Sequence, residues 1–126
     1  MARLGEDPPP PGPVVTAFVP GGGFSVRGEV FSGLFLTPDR AFAWDPPAVP
    51  NLDIADLAPI LDLDPPPEFV LLGTGTGLSF PPRVLVRALD ERGIGFEAMD
   101  SRAAARTWGL LRGEERWIAA ALMPLR

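Results

Sequence analysis

Gly73-Thr74-Gly75-Thr76-Gly77 is the stretch of this 126-residue chain whose residue types could hold an anion. It follows the apolar run Phe69-Val70-Leu71-Leu72 and precedes a helix opened by Pro81-Pro82. Backbone N–H groups at such a strand-to-helix junction can cradle a phosphate. The details differ from known phosphate loops. A dinucleotide fingerprint starting at Gly73 needs a glycine where Leu78 stands, and a P-loop needs a lysine that the chain does not have. Ser79-Phe80-Pro81-Pro82 also separates the turn from its helix. The competing reading is a tight turn that lets backbones pack closely.

Carboxylates are the other reactive groups present. Asp53, Asp56, Asp62 and Asp64 form their densest cluster, but the spacing lacks the glycine and terminal glutamate of a calcium loop. Solvated turns and helix caps account for such a cluster, and no metal ligand set is assigned. Ser25, Ser32, Ser79 and Ser101 have no histidine or lysine to activate them. The chain contains no His, Cys, Lys, Tyr or Gln, which removes most bases, nucleophiles and soft metal ligands used in catalysis. The residues therefore predict a binding or assembly module, with no catalytic residue, no cofactor-binding residue and no cofactor. The alternative kept open is a small-molecule or anion-binding protein, or a cryptic enzyme, using the Gly73–Gly77 turn.

A net charge of −5 argues against non-specific nucleic-acid binding, which needs a basic surface. All eleven basic residues are arginine; with the abundant Ala, Gly and Pro this resembles the codon bias of a GC-rich bacterial genome. Without cysteine there is neither a disulfide scaffold nor a thiolate metal site. No stretch approaches the ~20 apolar residues that span a bilayer. The acidic start Met1-Ala2-Arg3-Leu4-Gly5-Glu6-Asp7 lacks the apolar region of a signal peptide. A cytoplasmic location is expected, with attachment to the inner membrane through a partner as an option. Nothing in the sequence sets the oligomeric state.

These residues need elements to position them. Residues 1–13 end in Pro8-Pro9-Pro10-Pro11-Gly12-Pro13 and read as a disordered Pro-rich tail, with a docking peptide for a proline-reading partner as the alternative. A single domain is expected over 14–126. Val14–Val19, Phe24–Arg27, Glu29–Phe31, Gly33–Thr37 and Ala41–Trp44 read as the strands of an antiparallel meander, with a bulge natural at Gly28. Ile54, Leu57, Ala58 and Leu61 share one helical face over 54–62. Pro59 is tolerated there if Asp56 caps the helix and kinks it if Asp53 does. Phe69–Leu72 reads as a strand buried on both faces. A helix over 82–92 with Gly93 as its stop, a strand over 94–99, a helix over 101–111 capped by Asp100 with Gly113 beyond its end, and a strand over 115–122 follow. This β-α-β-α-β run predicts a mostly parallel sheet with right-handed crossovers.

Ala103, Ala104, Thr107, Leu110 and Leu111 form the expected inner stripe of the helix over 101–111. Arg102 and Arg106, one turn apart, fall outside it with Gly109 beside them. Such a pair is either a solvated face or an interaction surface, for which arginine is well suited. Thr74, Gly75, Asp100, Arg102, Arg106 and Gly109 are the candidate interaction residues, provided the strands before Gly73 and Asp100 are parallel neighbours whose ends share one sheet edge.

Leu72-Gly73-Thr74-Gly75, Phe80-Pro81-Pro82, Gly93 through Ser101, Ala104, Arg106-Thr107-Trp108 and Ala119-Ala120-Ala121-Leu122 together resemble the domain of unknown function 498 family. Gly23-Phe24-Ser25-Val26-Arg27-Gly28, Leu36-Thr37-Pro38-Asp39 and Trp44 fit it too, so the similarity spans about residues 14 to 123. The family includes the mitochondrial complex I assembly factor 3 proteins and small bacterial and archaeal relatives. The resemblance implies an MTH-type α/β fold with a β-hammerhead-like antiparallel N-terminal half and a three-layer β/β/α arrangement. It implies no established enzymatic activity, and protein partners that include a membrane-complex subunit. Where the family commonly has Thr-Tyr-Asn this chain has Thr107-Trp108-Gly109, and Ala105 stands where a cysteine is frequent.

Overall fold

Strand periodicity decides how this chain buries its apolar half. In the computed structural model, which describes residues 12–125, eight short strands form two sheets. β1 (Ala17–Val19), β2 (Gly23–Val26) and β3 (Glu29–Phe31) make a small antiparallel sheet. The larger sheet has β4 (Leu34–Leu36), β5 (Ala41–Ala43), β6 (Phe69–Gly73), β7 (Gly95–Met99) and β8 (Ala119–Leu122) in the order β5-β4-β8-β6-β7. β6 runs parallel to both β7 and β8, while β4 is antiparallel to β8 and β5. The helices are α1 (Ala58–Leu61), α2 (Arg83–Glu91) and α3 (Ser101–Gly113).

Successive residues of each central strand serve opposite faces of the large sheet. Val70, Leu72, Ala119, Ala121 and Phe35 face a core closed by α1, α2 and the segment from Trp44 to Leu61. Leu71, Ala120, Leu122, Leu34 and Leu36 face a second core, closed by the small sheet and by Trp108 of α3. The result is a single mixed α/β domain in three layers, with α3 sharing the layer of the small sheet. β6 is apolar throughout because both of its faces are covered.

Several local features differ from the sequence expectation, each for a definable reason. The N-terminal half is not one meander: β4 and β5 leave it at Ser32-Gly33 to join the larger sheet. A Cβ at Gly33 would lie on the Trp44 carbonyl, so only glycine allows that departure. β1 is limited to Ala17–Val19. Gly28 is no bulge. Val26 pairs with Glu29, leaving Arg27 and Gly28 as a two-residue hairpin turn with φ of 51° and 82°. Two left-handed residues match that turn to the strand twist. The helix over 54–62 is a capped 3-10 turn, Ile54–Leu57, followed by α1. Asp53 is the cap, and Pro59 falls within the first two positions of the new α-turn, where its missing N–H is harmless.

α2 ends as expected. Gly93 is left-handed, its N–H donates to the Asp90 carbonyl, and the Ile94 N–H donates to Leu89. α3 ends in the same motif two residues later than expected. Gly113 is inside the helix and Glu115, with φ of 58°, takes the left-handed position. β8 therefore starts at Ala119 and not at 115. At the other terminus, residues 1–11 of the expected tail lie outside the described residues. Pro13 is buried, and its carbonyl accepts the indole N–H of the fully buried Trp108 at 2.9 Å.

Candidate functional site

Because β6, β7 and β8 are parallel, their C-terminal ends meet at one edge. The Gly73–Gly77 turn, Asp100 and Met123 lie there, at the place where open α/β sheets commonly bind ligands. Ser101 organises this edge. Its Oγ accepts the Gly75 N–H and donates to the Met123 carbonyl, both at 2.8 Å, and its own N–H donates to Gly75 O. Gly73 must be glycine beside it, since a Cβ would sit 2.7 Å from Ser101 Oγ and 2.8 Å from its Cα. Asp100 caps α3 by accepting the Ala103 N–H at 2.9 Å.

Thr74 fixes the start of the turn. The Thr74 N–H donates to the Met99 carbonyl, and Thr74 Oγ1 donates to Gly77 O at 2.6 Å while accepting the Ser79 N–H. The amides of Thr74, Gly75 and Ser79 are thus engaged within the protein, which removes three donors from an anion cradle. The acidic cluster is likewise engaged: Asp53 and Asp56 cap each other's backbone N–H groups across the 3-10 turn. Among the described residues no group of three acidic side chains gathers.

The six candidate interaction residues separate into two environments. Thr74 and Gly75 are buried, and Asp100 is a cap. Arg102 and Arg106 are exposed on α3. The Arg102 guanidinium lies 5.6 Å from the Phe18 ring centre, and Arg106 borders a groove with Phe18 of the small sheet and Val15 just before it. Gly109 faces open space. The inner stripe is also rotated from expectation: Leu110 is exposed, and Trp108 takes the deepest position.

At the opposite end of β6, Arg116 and Glu68 form an exposed ion pair at 3.3 Å. The Arg116 hydrogen bond holds the Glu68 carboxyl below its ordinary pKa, and the same bond raises the arginine's.

Sequence reasoning missed a second region. Leu78, Phe80 and Val84 are exposed large apolar residues, Phe80 at 82%. Phe80 opens a groove of about 920 Å³ between α2 and the outer strand β7, lined also by Val86, Arg87 and Phe96. On the other face of β7, Phe69, Met99, Thr107 and Leu111 line a groove of about 410 Å³. The available signal was Leu78-Ser79-Phe80, an apolar pair placed in a loop.

Two sheets and three helices arranged in this way define a mixed α/β domain. The chain belongs to the family described as Protein of unknown function (DUF498/DUF598), whose model matches residues 18–123. A Danio rerio protein named NADH dehydrogenase [ubiquinone] 1 alpha subcomplex assembly factor 3 is 30% identical over 114 residues, which is 90% of this chain. The chain spans 65% of that relative's length. A crystal structure of a Bordetella parapertussis protein superposes with a TM-score of 0.81 at 32% identity, covering 93% of this chain and 99% of that one. A solution structure from Bordetella pertussis, described as an Mth938-like domain, gives 0.78 at 26% identity over 98% and 92% of the two chains. Among the described residues no helix is long and apolar enough to cross a membrane.

Proposed function

We propose that this chain is a non-catalytic protein-binding module that assists assembly of a respiratory or other membrane protein complex from the cytoplasmic side. The observation that carries the reading is the state of the sheet edge where α/β domains bind ligands. The polar groups of Thr74, Ser101 and the Gly75 and Ser79 amides there are engaged internally, whereas guanidinium and apolar groups remain exposed around it. Such a surface suits protein contact better than turnover. The assembly-factor name of the Danio rerio relative supports the choice of partner class. Arg102 and Arg106 on α3, with Gly109, supply one contact face, and Arg106 makes no ion pair among the described residues. An acidic surface on the partner would act mainly through association rate and salt dependence.

Affinity purification of the native protein from its source is the test. Recovery of a membrane-complex subunit is expected, reduced by Arg106→Ala with the melting temperature unchanged. A small molecule at stoichiometric amount without any protein partner would overturn the assembly reading. If Arg106→Ala lowers the melting temperature by several degrees while capture stays normal, the α3 face is not the interface.

A further inference from the structure

We infer that the outer edge of β7 is a strand-addition site for an extended segment of a partner protein, with apolar and acidic side chains toward α2 and a basic side chain opposite Glu97. The inference rests on the protein-binding reading above and deepens it. The ladder geometry defines the site. Gly95 N–H donates to the Glu68 carbonyl at 3.0 Å, and Met99 C=O accepts the Thr74 N–H at 2.9 Å. In a parallel pair alternate residues bond the same neighbour, so Gly95, Glu97 and Met99 serve β6. The N–H and C=O groups of Phe96 and Ala98 point outward. Among the described residues no strand pairs with that side. β7 carries no proline or bulge that would blunt it.

The flanking grooves match what an added strand needs. Its side chains alternate between faces, and each face of β7 has a groove to receive them. The charges select the sequence. Arg83 and Arg87, one turn apart on α2, border the larger groove and form no ion pair among the described residues, with Asp90 their acidic neighbour. That wall is net basic and favours an acidic side chain. The smaller groove has exposed Glu97, which favours a basic one. A second copy of this chain fits poorly. Antiparallel self-pairing that satisfies all four outward groups sets Phe96 opposite Ala98. Glu97 then faces the same residue of the second copy across the close, non-hydrogen-bonded position.

The test titrates the full-length, isotope-labelled chain with a synthetic strand of about nine residues. In this peptide Val and Glu alternate toward α2, and Thr, with one central Arg, faces α3. Amide hydrogen exchange at Phe96 and Ala98 should slow about tenfold near saturation, while Gly95, Glu97 and Met99 do not change. Arg87→Glu should weaken binding. A peptide with Glu replacing its Arg should bind poorly to the native chain and recover on Glu97→Arg. Absence of binding, binding without protection of those two amides, or concentration-dependent protection of both without peptide would each overturn the inference. If the peptide fails but native purification still recovers a membrane-complex subunit, this inference falls and the assembly reading stands. If the peptide binds as stated and no such subunit is recovered, the reverse holds.

Discussion

Replacing Ser101 by alanine removes one oxygen that joins three segments. The hydroxyl accepts from Gly75 and donates to Met123 in a fully buried position, so both backbone groups lose their partner without gaining water. Each buried group left unsatisfied costs about 1–3 kcal/mol. The Ser101 N–H to Gly75 carbonyl bond survives, so the turn stays tethered and the loss falls at about 2–4 kcal/mol. Unfolding entropy near 2.1 cal/mol/K per residue gives about 0.26 kcal/mol/K for a chain this long. The melting temperature should therefore fall by about 8–15 °C. Thermal melts followed by circular dichroism, with urea titration to show an unchanged m-value, measure this directly. Ser79→Ala is the control, because Ser79 is exposed and its side chain lies outside this junction. It should change stability by less than about 0.5 kcal/mol. A Ser101→Ala shift no larger than the control's would refute the view that this hydroxyl holds the strand ends together.

Glu115→Gly should raise stability by about 0.5–1 kcal/mol, since an exposed glutamate at φ 58° carries a steric cost that glycine avoids. A melting temperature about 2–4 °C higher is expected, and an unchanged or lower one would contradict the assigned helix end. The Glu68–Arg116 pair predicts a pH dependence. Glu68 has its pKa lowered in the folded state, first by the Arg116 hydrogen bond, so its contribution is present above the ordinary carboxylate range. It is lost as pH falls through the lowered value. Glu68→Gln should therefore reduce stability at neutral pH and converge with the native chain under acid, and a constant difference across that range would be inconsistent with the pair. Added salt should shrink the neutral-pH difference, because the pair is exposed.

Much of the architecture was legible because it rests on local rules. Asp100 caps α3, Gly93 ends α2, and the apolar run from Phe69 is a buried strand, each as its residues require. The parallel β6–β7 pair followed from the helix between them. The misses share a physical origin. Arg27 and Glu115 are left-handed although neither is Gly, Asn or Asp, so the sequence carries no mark of it. The ends they define were displaced accordingly. Ser101 and Gly73 lie 28 positions apart in chain order, and their contact exists only once two strand ends converge. Trp108 was placed outside the inner stripe, yet it anchors Pro13 across 95 positions. The candidate face on α3 was legible as charge spacing. The β7 edge was not, because strand order in a sheet follows from tertiary pairing and not from periodicity.

The place of β8 bears on how the protein is made. This strand follows the other seven in chain order, yet it lies in the middle of the larger sheet. During synthesis the β4–β5 hairpin and the β6–β7 pair must therefore wait as two halves that cannot join each other. Each keeps an unfilled apolar border until Ala119–Leu122 leaves the ribosome. Domains that require such late, distant pairing fold slowly and expose sticky intermediates. A nascent chain of this protein thus keeps two apolar strand borders open late in its synthesis, and the alanine-rich strand that closes both sets the moment at which the sheet is complete.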